Sequence, residues 1–398
     1  QGMPQTITHE TARNLVLHTQ MLSKTPTKPA KKTSVTTAIR ELGLLQIDTI
    51  NIVARAPYFA LFSRLGDYNK DWLDESLVDK SIFEYWAHAA SFLPIEDYPY
   101  HRRMMLEKLR LPHYFKWYER NKDATDEMLE YIRRNGAVRS ADFERKDGKK
   151  GTWWDWKFEK DALEFWFCAG ELMVTRREKF QRVYDLRERV KEQWSDDDVP
   201  TLDETMRHFV EQTIHSLGIA RLEWVADYFR LMNKPVEKAI SELLANGTLV
   251  EVIVESWPEP ALMLKKSLPL LDSRKHDLTP TLTTLLTPFD SLIFDRKRTK
   301  QLFDFDFSIE CYLPPAKRKY GYYLVPILHR GRMVARADVK AHRQQGRFEV
   351  KGLFWEPGVT ADEQMLTEVK EAIQRCADWH GTPEVVVNKY LPETLTLY

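Results

Sequence analysis

One pattern in this chain constrains its fold more than any other: a helix, a glycine stop, a second helix and then β-branched strands, returning three times. Thr8 is placed to cap a helix running to about Met21, and Thr33 or Ser34 a second one ending at Gly43, where glycine takes a left-handed turn without a Cβ clash. The stretch LLQIDTINIVAR follows as an extended segment. Next, DATDEMLEYIRRNGAVRSADF reads as a helix, a turn at Gly136 and a second helix start. WDWKFEKDALEFWFCAGELMVTRREKFQRVYDL gives a helix, Gly170 and two strands, LMVTRR and FQRVYDL, paired as a wing. Between Leu202 and Leu271, helices are expected over 216–228 and 234–245, with Asn246-Gly247 preceding the strands LVEVIVE and ALMLKK. Three such units in series indicate tandem winged helices.

Beyond Leu271 the texture changes to β-branched and aromatic runs divided by Pro and Gly: TPFDSLIF, GYYLVPILHRGRMVARADVKAH and GRFEVKGLFW. A last helix spans about Thr360 to Trp379. His329-Arg330-Gly331-Arg332 has the composition of a hairpin turn. The expected fold is therefore α+β. Winged helices occupy residues 3–120, 121–200 and 201–275, and a mostly β, barrel-like domain occupies 276–398.

No run of about 18 apolar residues occurs, and residues 1–13 are mostly polar, so neither a membrane helix nor a secretion signal is expected, and a cytoplasmic location is. Gln1 and Gly2 before Met3 read as the remnant of a cleaved tag. Cys168, Cys311 and Cys376 lie far apart, which suits neither a zinc site nor a disulfide framework, so three reduced thiols are expected. No phosphate-binding glycine loop is present, and neither a metal nor another cofactor is expected. Net charge is zero, but from Lys317 to Arg347 nine Lys or Arg residues face the single acid Asp338. A neutral chain with one basic face remains able to bind DNA, because phosphate contacts are local.

Gln46-Ile47-Asp48 is the most informative triplet. In an extended strand, residues two apart share a side, so Gln46 and Asp48 would present an amide and a carboxylate together with Ile47 anchored behind. Such a pair suits hydrolysis of a glycosidic bond: the carboxylate stabilises positive charge developing on the sugar, and either group aligns a water. The competing reading makes Asp48 the cap of a helix starting at Thr49.

LLQIDTINIVARAPYFALFSRLG, then FEYWAHAASFLP, VRSADFE, FQRVYDL and TPFDSLIFDRKR, resemble the YcaQ/AlkX family of bacterial winged-helix DNA glycosylases over most of the chain. The resemblance implies three winged helices with a β-barrel-like domain. It also implies activity on N7-alkylated guanine, including unhooking of nitrogen-mustard-type interstrand crosslinks. The family motif of Gln, an apolar residue and Gln or Asp falls on Gln46, Ile47 and Asp48, which implies catalytic roles for Gln46 and Asp48. Family members commonly read His-Glu-Ala where this chain has His88-Ala89-Ala90, so any role of an acid at position 89 is absent or replaced.

Around the motif, Glu84, Tyr85, Trp86 and His88 are possible neighbours of the site, with Trp86 either core or base-stacking and His88 either a packed histidine or a participant. Arg55 and Arg64 either hold phosphates flanking the lesion or are solvated. Lys317, Arg318 and Lys319, among tyrosines, have the character of a DNA-tracking loop. Arg296, Lys297 and Arg298 form a weaker basic cluster, as do Arg145, Lys149 and Lys150. The expectation is a monomeric glycosylase whose partner is double-stranded DNA carrying alkylated or crosslinked guanine. A winged-helix transcription regulator and a structural nucleic-acid adaptor are the non-enzymatic rivals.

Overall fold

The computed structural model describes residues 4–143 and 156–398; Gln1, Gly2, Arg145, Lys149 and Lys150 lie outside them. The fold is α+β, in two compact units: Gln1–Lys70 with Phe209–Tyr398, and Asp71–His208. The border at Lys70 falls inside the expected first winged helix. The Gln46–Asp48 segment thus shares a unit with the C-terminal β domain, while Glu84 to His88 belong to the other.

In the first unit, Thr8 caps helix His9–Thr19 by accepting from the Thr11 N–H at 3.0 Å. Helix Lys32–Leu42 begins slightly before the expected cap. Ser34 serves from inside it, its hydroxyl accepting from the Lys31 N–H at 2.9 Å. The helix expected over 216–228 is instead broken: Leu202–Leu217 ends at Gly218, and Leu222–Tyr228 starts anew. Strands Leu249–Val254 and Ala261–Leu264 form the expected antiparallel pair. A short N-terminal strand, Gln5–Ile7, joins them in parallel, with Gln5 opposite Val252.

The C-terminal sheet runs in the order Glu384–Val387, Arg347–Trp355, Arg332–His342, Leu324–His329, Thr283–Leu285, with Tyr390–Leu391 also on Arg347–Trp355; its path is open. Arg330 and Gly331, at φ 46° and 85°, make the tight turn between its two central strands that the sequence suggests. Helix Glu363–His380, capped by Asp362, covers the sheet with Val369, Ile373 and Cys376 buried. TPFDSLIF is not a strand. Asp290 accepts from the Leu292 N–H at 2.9 Å and folds the run into turns that lead to helix Arg296–Phe303.

The second unit holds helices Tyr98–Leu109, Pro112–Asn135 and Trp156–Ala169, and two antiparallel hairpins. One pairs Ile82–Trp86 with Ala90–Pro94, the other Leu172–Glu178 with Gln181–Leu186. The second is the expected wing, and its turn is made by Lys179 and Phe180, both at positive φ.

Among the glycines, Gly43 matters most to the motif, because it stops helix Lys32–Leu42 and directs the chain into Gln46-Ile47-Asp48. Its φ is 72°, and a Cβ there would sit 2.9 Å from the Gln212 side chain and 3.1 Å from Phe229. Gly43→Ala is expected to destabilise the first unit by about 1–3 kcal/mol. The measurement is urea denaturation, with a lowered midpoint and an unchanged m-value.

Candidate active site

After Gly43 burial alternates along the chain: Leu45 and Ile47 enter the core, while Gln46 and Asp48 are half-buried on the other side. That is the period of an extended segment, whose regular part is strand Leu45–Gln46. No helix begins at Thr49. The next one is Ala56–Leu65, with Arg55 at its N-cap, so Asp48 is not a helix cap. Instead, Asp48 Oδ1 accepts from the Ile50 N–H at 2.8 Å in a local turn that fixes the carboxylate. Among the described residues Asp48 Oδ2 carries no hydrogen bond, and Gln46 Oε1 is buried without a partner. A buried acceptor left unsatisfied costs about 1–3 kcal/mol, so a site holding one is a natural seat for a donor such as water. Burial pushes the Asp48 carboxyl above its ordinary value, against the opposing Ile50 hydrogen bond.

The segment following Asp48 is sewn to the C-terminal domain. Ile52 O accepts from the Ala341 N–H at 3.0 Å, and Val53 O accepts from His380 Nε2 at 2.8 Å. The Arg343 guanidinium donates to Asn51 O at 3.1 Å, to Asn51 Oδ1 at 2.9 Å and to Val53 O. Sequence reasoning missed Arg343 and His380 as positioning residues; their only signal was that Arg343 lies in the basic run. Cys311 and Tyr312 stand close enough to Asp48 that, after desolvation, its negative charge is the next cause raising both of their pKa values. The loop carrying Lys317, Arg318 and Lys319 therefore borders the motif. Lys317 and Lys319 are exposed, whereas Arg318 turns inward, its Nε donating to Leu313 O at 2.9 Å.

The other expected participants have surroundings of their own. Arg64 is a correction: it is 3% exposed, and its guanidinium grips Asp290 at 2.6 and 2.8 Å while donating to Gln20 O and Ala60 O. It cannot hold a phosphate. Arg55 is half-buried at the start of the same helix. Arg298 is fully buried, its guanidinium donating to Ser291 O at 2.5 Å. In the second unit, Glu84 is buried between Arg177, at 2.6 Å, and Arg182, at 2.5 Å, which leaves its carboxylate no face for a substrate. Tyr85 is also core, its hydroxyl donating to Cys168 O. Trp86 is exposed, its indole N–H donating to Glu164 at 3.2 Å, and His88 is half-buried at the hairpin turn. Among the described residues no group of three or more His, Cys, Asp or Glu side chains is arranged to hold a metal, and no helix is long and apolar enough to cross a membrane.

Residues 39–379, from the end of helix Lys32–Leu42 through the C-terminal helix, match the family model described as DNA glycosylase AlkZ-like. The chain belongs to the AlkZ-like family of DNA glycosylases. It is therefore an enzyme of DNA repair, and the regulator and adaptor readings fall away. The AlkZ-like fold is seen directly in the Streptomyces sahachiroi DNA glycosylase AlkZ. That structure matches with a TM-score of 0.66 at 14% identity, over 97% of this chain and 100% of that one.

Two outcomes are expected from these environments. Arg64→Ala strands a buried Asp290 carboxylate and is expected to lower stability by about 3–5 kcal/mol, read as the shift in chemical denaturation. Asp48 has a raised folded-state pKa, so the unfolded chain releases its proton first and stability is lost as pH rises past 3.8. Asp48→Asn is expected to raise the melting temperature at neutral pH, with the gain vanishing as pH falls below the unfolded-state value.

Proposed function

We propose that this glycosylase hydrolyses the N-glycosidic bond of N7-alkylated guanine in duplex DNA, including guanine held in nitrogen-mustard-type interstrand crosslinks, with Gln46 and Asp48 as its catalytic residues. The observation that carries this reading is the pair itself: an amide with an unpartnered oxygen beside a carboxylate fixed by a backbone hydrogen bond. N7 alkylation makes guanine cationic, so the base leaves without protonation by a second acid. What remains is to stabilise the positive deoxyribose and deliver water, and ionised Asp48 does both when Gln46 Oε1 orients the water it deprotonates. No lysine occurs between Lys32 and Lys70, so the motif's own segment offers no amine for lyase chemistry; the products are free alkylguanine and an abasic site.

A crosslinked guanine is tethered to the opposite strand and resists extrusion into a deep pocket. A half-buried pair on an extended segment, near a loop that also carries the exposed Lys317 and Lys319, favours attack in an open groove with phosphates held beside it. The reading is of a monomer acting on chromosomal DNA in the cytoplasm.

The test uses duplex carrying N7-methylguanine or a mustard crosslink, comparing the wild type with Asp48→Asn. Binding is expected to stay nearly intact while base release slows at least about tenfold, or roughly 1.4 kcal/mol of barrier. Equal rates would remove Asp48 from the mechanism. No release by the wild type would remove the lesion.

A further inference from the structure

The loop beside Asp48 holds two large apolar side chains out in water: Tyr312 is 72% exposed and Leu313 39% exposed. Solvent exposure of this kind is ordinary on a mobile loop. Here the loop is braced. The buried Glu310 carboxylate accepts from the Tyr320 and Gly321 N–H groups at 2.8 and 3.0 Å, tying one end of the loop to the other. Arg318 Nε donates to Glu310 O and Leu313 O, its cation lying 4.9 Å from the Tyr322 ring centroid, and the Leu313 N–H donates to Glu310 O at 2.9 Å. Gly321, at φ 152°, lies so close to the Asp338 carboxylate that any Cβ would collide with it. Tyr312 is thus exposed by construction, close enough to Asp48 to feel its charge and on the loop that also carries the exposed Lys317 and Lys319.

We propose that Tyr312, backed by Leu313, enters the base stack of bound DNA next to the damaged nucleotide and unstacks it so that its glycosidic bond faces Asp48. An aromatic ring is a sequence-tolerant stacking partner, and an apolar wedge opens a base step towards the protein. Lys317 and Lys319, exposed on the same loop, supply the phosphate contacts that hold the opened step in register. A loop that is already rigid inserts without an ordering cost, which is the use of the Glu310 and Arg318 bracing. The assignment rests on the reading of Asp48 as the reacting group and adds to it the residue that presents the lesion.

The experiment places 2-aminopurine, whose fluorescence rises when it unstacks, beside N7-methylguanine in a duplex. It compares the wild type, Tyr312→Ala and Tyr312→Phe for the fluorescence rise on binding and for single-turnover base release. The wild type is expected to raise fluorescence, Tyr312→Phe to retain most of the rise, and Tyr312→Ala to abolish it and slow release at least about tenfold. As Tyr312 is exposed, the variants should fold, and circular dichroism checks this. Tyr312→Ala with wild-type fluorescence and rate would overturn the proposal. If the wild type releases no base yet shows a Tyr312-dependent rise, the lesion assignment fails and insertion stands; release that is indifferent to Tyr312 gives the converse.

Discussion

The buried pair of Arg64 and Asp290 holds the first unit in the form its site requires. Both side chains are fully removed from water and meet fork to fork at 2.6 and 2.8 Å, a geometry that specifies orientation as well as contact. Arg64 sits near the end of helix Ala56–Leu65, which begins a few residues after the motif, and Asp290 organises the turns that open the C-terminal domain. Around them the joint is polar and filled. Gln20 accepts from Arg64 Nε through its carbonyl and from the Ser291 hydroxyl through its amide oxygen, and Ser63 donates to Leu285 O at 2.6 Å. Phe62 and Tyr68 stack on Trp379, with centroids 4.6 and 5.9 Å apart, and so fix the same helix to the C-terminal one. Replacing such an ion pair by apolar residues is often neutral for stability. Its bidentate geometry is what an apolar contact would not reproduce, and it sets where Gln46 and Asp48 stand against the loop that borders them.

The basic run from Lys317 to Arg347 illustrates how charge is divided between structure and surface. Arg336 is buried against Glu356 at 2.7 Å and lies over the rings of Phe305 and Tyr320, and Arg330 is engaged by Glu368 at 2.6 Å. Arg343 is spent on the backbone of the motif segment. Asp338, the one acid in the run, accepts from the Tyr323 N–H and anchors the loop base. Lys317, Lys319, Arg332 and Lys340 remain exposed. The exposed basic face is narrower than the composition suggests.

Features that depend on neighbours in sequence were legible: the Thr8 cap, the Gly43 stop, the Arg330-Gly331 turn and the alternation of Leu45, Gln46, Ile47 and Asp48. Each is decided by a side chain or dihedral within a few residues. Features decided across the chain were not. Arg64, Arg298 and Glu84 look like solvated charges until the distant Asp290, Tyr228 and Arg177 pack against them. TPFDSLIF has the β-branched and aromatic texture of a strand, but Asp290 spends its local hydrogen-bonding capacity on a turn and its carboxylate on Arg64. The Gln5–Ile7 strand pairs with residues nearly 250 positions away, and no local periodicity encodes a parallel partner.

Asp48 shows why a site of this kind can be built from so little. A carboxylate fully in water is screened from any cation near it, and one fully buried holds its proton and carries no charge to offer. Half-burial with a single backbone donor lies between these limits: desolvation strengthens the field of the carboxylate, and the Ile50 hydrogen bond pulls the pKa back towards the ionised form. The arrangement is unfavourable for folding, since it holds an under-solvated charge beside an unpartnered amide oxygen. That strain is tolerable because the segment is fastened on both sides, by the Gly43 turn before it and by Arg343, His380 and Ala341 after it.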